Sequence, residues 1–377
     1  MRGGSGGGRP RVAIAHDYLT QRGGAERVVL SMLRAFPDAT IHTTLYDPEG
    51  TFPEFRDARI VTSPLNRSTR LRHDHRLALP LLPWAVSRLP VDADLVIASS
   101  SGWAHGVPTS GKKLVYCHAP ARWLYQADAY LGHPPRSSVT GRALLALSPP
   151  LLRWDRRAAA TADRYLVNST VVRDRVKEAY GIDAEVLPPP FGIDPHGPSE
   201  VVGELADWAD GYHLLVSRLL PYKKVAEAVR AFDGLDERLV VVGHGPLEAE
   251  LRATAPPNVR IVSGLVDAHL RWVYSHSTAL IAPSLEDFGL TPLEAGAFGR
   301  PTLALHAGGY LDTVAPGVSG AFFATPTAND VRAAVAANRN AEWDAEAIRS
   351  HVDSFSEPHF HRRLVAAVET LLTDDRA

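Results

Sequence analysis

Two carboxylates eight positions apart, Glu286 and Glu294, stand in residues 278–299, TALIAPSLEDFGLTPLEAGAFG. The stretch opens on the apolar run 279–282, short enough to read as a buried parallel strand. An acidic loop with Asp287 leads to Gly289, and Thr291-Pro292-Leu293-Glu294 then predicts a helix start. Threonine takes the N-cap, proline the first helical position and glutamate the third. Acidic groups and bare backbone N–H groups thereby converge beyond the carboxyl end of a strand. Open α/β sheets bind ligands there, and a helix N-terminus in that place suits phosphate. Glu286 and Glu294 can then hold hydroxyl groups on either side of a bound diphosphate. A plainer reading stands beside this one: Glu294 completes a capping box with Thr291 whatever the function, and Glu286-Asp287 can be a solvated loop.

A second set of groups lies in residues 217–224, SRLLPYKK, after the apolar run 213–216. Arg218 and Lys223 in a loop at a strand end can grip a diphosphate, the guanidinium bidentately and the ammonium as a point charge. The alternative is a basic loop in water. His118 ends the run 113–117 within YCHAPARWLY, either as a satisfied structural histidine or as a group presented at a strand terminus. Neighbouring strand residues face opposite ways, so Cys117 and His118 do not form a thiolate–imidazole pair, and Cys117 reads as core. Near the start, His16-Asp17-Tyr18 follows the strand 11–15, and Gly23-Gly24 opens the helical pattern Val28, Val29, Met32, Leu33, Phe36. Paired glycines at a helix N-terminus let backbone approach an anion, and equally make a tight turn. Two motifs are set aside. Asp92-Ala93-Asp94 resembles a metal-binding carboxylate pair but precedes its strand, whereas ligands gather at carboxyl ends. Gly243-His244-Gly245 falls short of the GxGxxG dinucleotide fingerprint, which excludes a nicotinamide enzyme.

Positioning these groups takes two sheets. A chain of 377 residues exceeds what one core uses, and 45% hydrophobic with 22% charged residues describes an ordinary soluble protein. A formal charge of -2 makes no electrostatic case for nucleic acid as partner. The single cysteine excludes an internal disulfide and fits a reducing compartment. The leader MRGGSGGGRP, residues 1–10, lacks the apolar core of a secretory signal and reads as flexible. Run 77–86, broken by Pro80 and Pro83, is too short to span a membrane. Strands are predicted at 11–15, 94–99, 113–117, 164–168 and 185–187, with a long helix over 142–161 and a second over 169–180 ending at Gly181. Pro188-Pro189-Pro190-Phe191-Gly192 is the best linker, a hinge for a cleft that opens and shuts. Beyond it, runs 213–216, 239–242, 259–262, 279–282 and 302–305 alternate with helical intervals and make a second doubly wound sheet. Residues 67–88, RSTRLRHDHRLALPLLPWAVSR, predict a surface helical pair. The sharper alternative is a groove or membrane-facing patch for an anionic or lipid-linked acceptor.

From Arg11 onward the chain resembles the retaining nucleotide-sugar glycosyltransferases of family 4. EDFGLTPLEA carries that family's paired glutamates with seven residues between them; HDYLTQRGGAERVV, YCHAPARWLY, SRLLPYKK and Ala307-Gly308-Gly309-Tyr310 resemble its other motifs. Ala226 replaces the acidic residue usual after the basic loop, and Phe298 stands where a small residue is common, read as repacking. The resemblance implies an α/β protein of the GT-B architecture, two Rossmann-like doubly wound domains facing a central cleft. Residues 11–190 then bind the acceptor, 191–355 bind the donor, and the last helix, 356–377, packs back on the first domain. Implied donor contacts are Gly23, Gly24, Asp17, Arg218 and Lys223, together with Phe288, Gly289, Leu290, Thr291 and Glu294. His118, Glu286, Arg218 and Lys223 are the implied catalytic set, and Arg122 and Trp123 the implied acceptor contacts. Arg218 and Lys223 stand in for a metal, and no cofactor is implied. The branch is mannosyltransferase-like, with GDP-mannose the first donor and other GDP- or UDP-sugars open. The acceptor is a glycan, a lipid-linked sugar or a small molecule, and the location cytoplasmic, with a peripheral contact at the inner membrane face allowed. A nucleotide-sugar epimerase of the same architecture and an inactive homologue serving as a binding module are the alternatives.

Overall fold

The structure, a computed structural model, describes residues 10–131 and 134–373, so most of the glycine-rich leader lies outside the described residues. The chain divides into two compact units: Pro190–His359 forms one, and the residues up to Pro189 form the other together with the segment from Phe360 onward.

The first unit is a seven-stranded parallel sheet in the order β3-β2-β1-β4-β5-β6-β7. Its strands are β1 Val12–His16, β2 Thr40–Thr43, β3 Ile60–Thr62, β4 Leu95–Ser100, β5 Lys112–Cys117, β6 Arg164–Val167 and β7 Glu185–Val186. β4 is buried along its whole length, as a strand covered on both faces must be. One face packs Val96, Ala98, Val115 and Cys117 into a core with Trp103 and Trp123. The other packs Ile14, Ile97, Leu114 and Tyr116 against Phe360, Leu364, Ala367, Val368 and Leu371 of the helix Glu357–Thr373. That three-four spacing gives the last helix one apolar face, and each side chain it buries contributes about 1.5–3 kcal/mol. At the opposite strand ends Arg11 pairs with Asp92 and Asp94 at 3.2 and 3.4 Å, which gives those carboxylates a structural partner.

The sequence reading misses β2 and β3. TIHT alternates buried and half-buried residues, and IVT has no fully buried position, so neither shows the continuous apolar run used to find the central strands. Residues 67–88 are not the expected helical pair. They form short pieces, Thr69–His73, His75–Leu81 and Leu82–Val86, because Pro80 and Pro83 interrupt a longer helix.

The second unit is a six-stranded parallel sheet in the order β10-β9-β8-β11-β12-β13. It comprises β8 Tyr212–Val216, β9 Leu239–Val242, β10 Val259–Val262, β11 Ser277–Ala282, β12 Thr302–Leu305 and β13 Gly320–Phe323. The five expected runs are all strands. The sixth, GAFF, is an edge strand that begins on glycine and pairs only with β12. In both sheets the strand order reverses once, between β1 and β4 and between β8 and β11. Loops leaving those strands border the two switch points, where open parallel sheets offer their ligand sites.

Candidate active site

In the second unit, the loop after β8 and the loop after β11 bring a cation and a carboxylate together. Lys223 Nζ donates to Glu286 Oε1 at 2.5 Å, and Ser284 Oγ donates to the same oxygen at 2.5 Å. Ser284 Oγ lies 3.3 Å from the Tyr310 hydroxyl. Burial pushes the Tyr310 phenol well above its ordinary pKa, and the charge of Glu286 adds to that effect, so Tyr310 is a neutral hydroxyl beside the carboxylate. Lys223 ends the single turn Pro221–Lys223, closed by Lys224 in the left-handed conformation at φ 57°. Arg218 is exposed and donates to the Tyr222 hydroxyl at 3.1 Å, while the Tyr222 ring carries Lys223 Nζ 5.3 Å from its centre. Arg218 and Lys223 are thus joined through one tyrosine, and of these two it is Lys223 that pairs with Glu286.

The helix that follows spans Leu290–Ala297 and starts two residues earlier than its sequence predicts. Gly289, at φ 91°, is its N-cap, and no side chain caps it. Thr291 lies inside the first turn, so the expected capping box with Glu294 does not form. The Glu294 carboxylate instead accepts from the Tyr274 hydroxyl at 2.7 Å. Tyr274 is buried and stacked on Phe298 with ring planes 9° apart, which gives Phe298 its packing role. A Cβ on Gly289 would come 2.6 Å from the Tyr310 ring, and one on Gly309 would come 2.2 Å from the Phe288 backbone. Gly309 N also donates to Glu286 O at 2.8 Å. The 308–310 turn therefore holds the 286–289 loop by close backbone approach. The Phe288 side chain is buried with Leu293 and Val352, leaving its backbone, not its ring, for any ligand.

In the first unit, β1, β4 and β5 end side by side, with His16 in register with Ser99 and the His118 N–H donating to Ser100 O at 2.8 Å. Ser99 Oγ lies 2.8 Å from His118 Nε2 and 3.1 Å from His16 Nδ1. His16 Nε2 is 3.9 Å from Glu26 Oε1, and both side chains are buried. Burial lowers the His118 pKa to about 3, and the charge of His16 lowers it further in the same direction, so the ring is neutral near pH 7. Burial also opposes a charge on His16, but the hydrogen bond and charge of Glu26, with Asp17 and the Ser99 carbonyl, outweigh it and raise the His16 pKa.

Gly23 is the N-cap of Gly24–Ala35, whose first turn has no side-chain cap. Asp17 is held by backbone. Its buried carboxylate accepts from the backbone N–H groups of Ser101, Trp103 and Ala104 at 2.5, 2.7 and 2.6 Å, which ties the loop after β4 to β1 and occupies the group expected to face the donor. Trp123 is held by ring packing. It is only 7% exposed and packs its ring on Trp103 with centres 4.9 Å apart, so it supports the helix Arg122–Tyr125 from within. Arg122 is on the exposed side. His16, Glu26, Ser99, Tyr274, Ser284 and Tyr310 were not singled out from sequence. His16, Ser99 and Ser284 share one legible signal, a polar side chain at or just beyond the carboxyl end of an apolar strand next to a switch point.

Residues 22–196 match the family model described as Glycosyltransferase Family 4, and residues 207–349 match the one described as Glycosyl transferases group 1. The chain is glycosyltransferase-like through both units. It is 29% identical over 186 residues to D-rhamnosyltransferase WbpZ of Pseudomonas aeruginosa, covering 45% of this chain and 47% of that protein. It is 28% identical over 183 residues to O-antigen chain mannosyltransferase C of Escherichia coli, covering 45% and 48% respectively. The chain thus spans about half the length of the curated relatives it matches. Its fold is shared with HepE of Anabaena in complex with UDP, at a TM-score of 0.69 and 15% identity, over 96% of this chain and 100% of that one. The architecture is GT-B, built on two Rossmann-like α/β domains.

Proposed function

We propose that the protein is a retaining glycosyltransferase that moves a hexose from a nucleotide-sugar donor, with GDP-mannose the first choice, to a glycan, lipid-linked or small-molecule acceptor. The observation that carries this reading is the Lys223–Glu286–Ser284 cluster at the β8/β11 switch point, beside the uncapped N-terminus of Leu290–Ala297. Lys223 and Arg218 supply positive charge for a leaving diphosphate, and the helix N-terminus adds its dipole. Those cations support a metal-independent reaction. Glu294, held by Tyr274, binds ribose hydroxyls, and Glu286 binds hexose hydroxyls. In the first unit Gly23-Gly24 offers backbone to the sugar phosphate, and neutral His118 offers a hydrogen bond that strengthens as charge grows at the anomeric carbon. Glu286 already accepts two hydrogen bonds on one oxygen, one of them from an ammonium, which makes it a poor nucleophile and favours a front-face displacement over a covalent glycosyl enzyme. The names of the mannosyl- and rhamnosyltransferase relatives support a GDP-linked donor, while the UDP bound to HepE keeps UDP-sugars in view.

The acceptor side includes a surface suited to a membrane. Leu77, Leu81 and Trp84 are each nearly half exposed, and the Arg88 guanidinium lies 4.4 Å from the centre of the Trp84 ring. Apolar side chains flanked by arginine suit an anionic lipid surface, and no helix among the described residues is long and apolar enough to cross a membrane. Sedimentation with vesicles containing anionic lipid should carry the protein down, and Leu81→Glu with Trp84→Glu should release it; equal binding by the variant contradicts this role.

Incubation with labelled GDP-mannose tests the function itself. Label moving to an acceptor supports transfer, isomerised donor without acceptor supports an epimerase, and unchanged donor with every nucleotide-sugar tried supports a binding module.

A further inference from the structure

The group of side chains at the ends of β1, β4 and β5 links two histidines, His118 and the buried His16, through Ser99. His16 Nδ1 lies 3.0 Å from the Ser99 backbone oxygen. A carbonyl oxygen only accepts, so the hydrogen belongs to His16 Nδ1. That same N–H is shared with Ser99 Oγ at 3.1 Å. Ser99 Oγ therefore already receives a hydrogen bond, and its own hydrogen has one partner in the geometry, His118 Nε2 at 2.8 Å. The reverse assignment would place two donors on Ser99 Oγ and leave a buried hydroxyl hydrogen with no acceptor, which is costly. At the far side of His16, the buried Glu26 carboxylate is oriented by Gln21 Nε2 at 3.0 Å and has its second oxygen without a hydrogen-bond partner.

From this geometry we infer that Glu26, His16 and Ser99 are positioning residues that fix His118 as the tautomer protonated at Nδ1, so that His118 meets its ligand as an N–H donor and not as a base. The assignments run one way only: the Ser99 carbonyl requires hydrogen on His16 Nδ1, Glu26 facing Nε2 favours a second hydrogen there without removing the first, and Ser99, receiving from Nδ1, donates its own hydrogen to His118. A neutral ring that accepts at Nε2 carries its single hydrogen on Nδ1. The inference about the tautomer stands on the geometry, and its use towards a sugar oxygen rests on the proposed function. A Gly23 side chain would meet Glu26 Oε2 at 2.5 Å, so the glycine at the head of the helix Gly24–Ala35 leaves room for this carboxylate as well as for a ligand.

The test is a long-range proton–nitrogen correlation spectrum of the full-length protein labelled with ¹⁵N-histidine, with the His118 signals identified by their loss in His118→Asn. The expected result at pH 7 is a neutral ring protonated at Nδ1, changed to an Nε2-protonated or exchanging ring in Ser99→Ala. A wild-type ring protonated at Nε2, or an imidazolium, overturns the inference. Turnover adds a second reading, because an asparagine amide lies close to the place of Nδ1 and a glutamine amide reaches towards Nε2. His118→Asn should be at least about tenfold more active than His118→Gln, the worth of one transition-state hydrogen bond; the opposite order contradicts the donor role. An Nδ1-protonated His118 in a protein that transfers no sugar would leave the tautomer assignment standing and remove the glycosyltransferase reading instead.

Discussion

Lys223 is the residue on which the proposed donor site turns, because its ammonium pairs with Glu286 of the carboxylate loop. Lys223→Ala and Arg218→Ala should each lower turnover by roughly a hundredfold or more, the scale of removing a group that meets a developing anion. Lys224→Ala should do much less, since Lys224 is exposed and serves the turn through its backbone. A larger loss at Lys224 than at Lys223 would put the phosphate grip one residue away from where Glu286 holds it. Residue chemistry also sets a pH response. Burial lowers the His213 pKa from 6.5 to about 4. Above pH 6.5 the ring is neutral in both folded and unfolded chains. Below it the unfolded chain takes up a proton that the folded chain refuses, so stability is lost as pH falls from 6.5 towards 4, on the order of 3 kcal/mol at 1.36 kcal/mol per pKa unit. His118 acts in the same direction, and His16, with its raised pKa, in the opposite one. Melting temperatures measured from pH 7 to pH 4.5 should fall, and His213→Phe should flatten the fall; an unchanged slope would show that His213 does not carry it.

At the scale of elements, strand runs and motif loops could be read directly, and their terminal details could not. Residues 279–282 and 213–216 announce β11 and β8 by apolar content alone, and that places Glu286 and Lys223 in adjacent loops. The start of the following helix was misread because Thr-Pro-Leu-Glu carries a capping signal that local sequence favours. Tertiary packing overrides it: Gly289 can adopt φ 91° against the Tyr310 ring, and Tyr274, distant in sequence, takes the Glu294 carboxylate. For Asp17 and Trp123 the same limit applies: the sequence shows the residue types, but only the fold shows that one side chain binds three backbone N–H groups and the other packs on Trp103. Gly289→Ala should therefore destabilise the protein by about 1–3 kcal/mol, from the left-handed backbone and the ring contact together, with a lower urea midpoint and reduced turnover. Unchanged stability would mean that the 286–289 loop is not held as described.

For the whole molecule, the division after Pro189 follows a proline run that was visible in the sequence, and the last helix supplies Phe360 and Leu364 to the first unit's core. The inner strand β2 and the edge strands β3 and β13 escaped because each is only partly buried, unlike a central strand such as β4 that is buried throughout. Two parallel sheets, each with one reversal of strand order, give the chain two switch points, and the candidate residues gather there by loop position, not by proximity in sequence. In the proposed function the β8/β11 switch point takes a nucleotide-sugar diphosphate by side-chain cations. Calorimetric titration of GDP-mannose and UDP-glucose into chelator-treated protein, alongside Lys223→Ala, measures it most directly. One of these donors should bind without divalent metal and about tenfold or more weaker to the variant; binding that returns only with added metal, or is equal in the two proteins, would contradict this role.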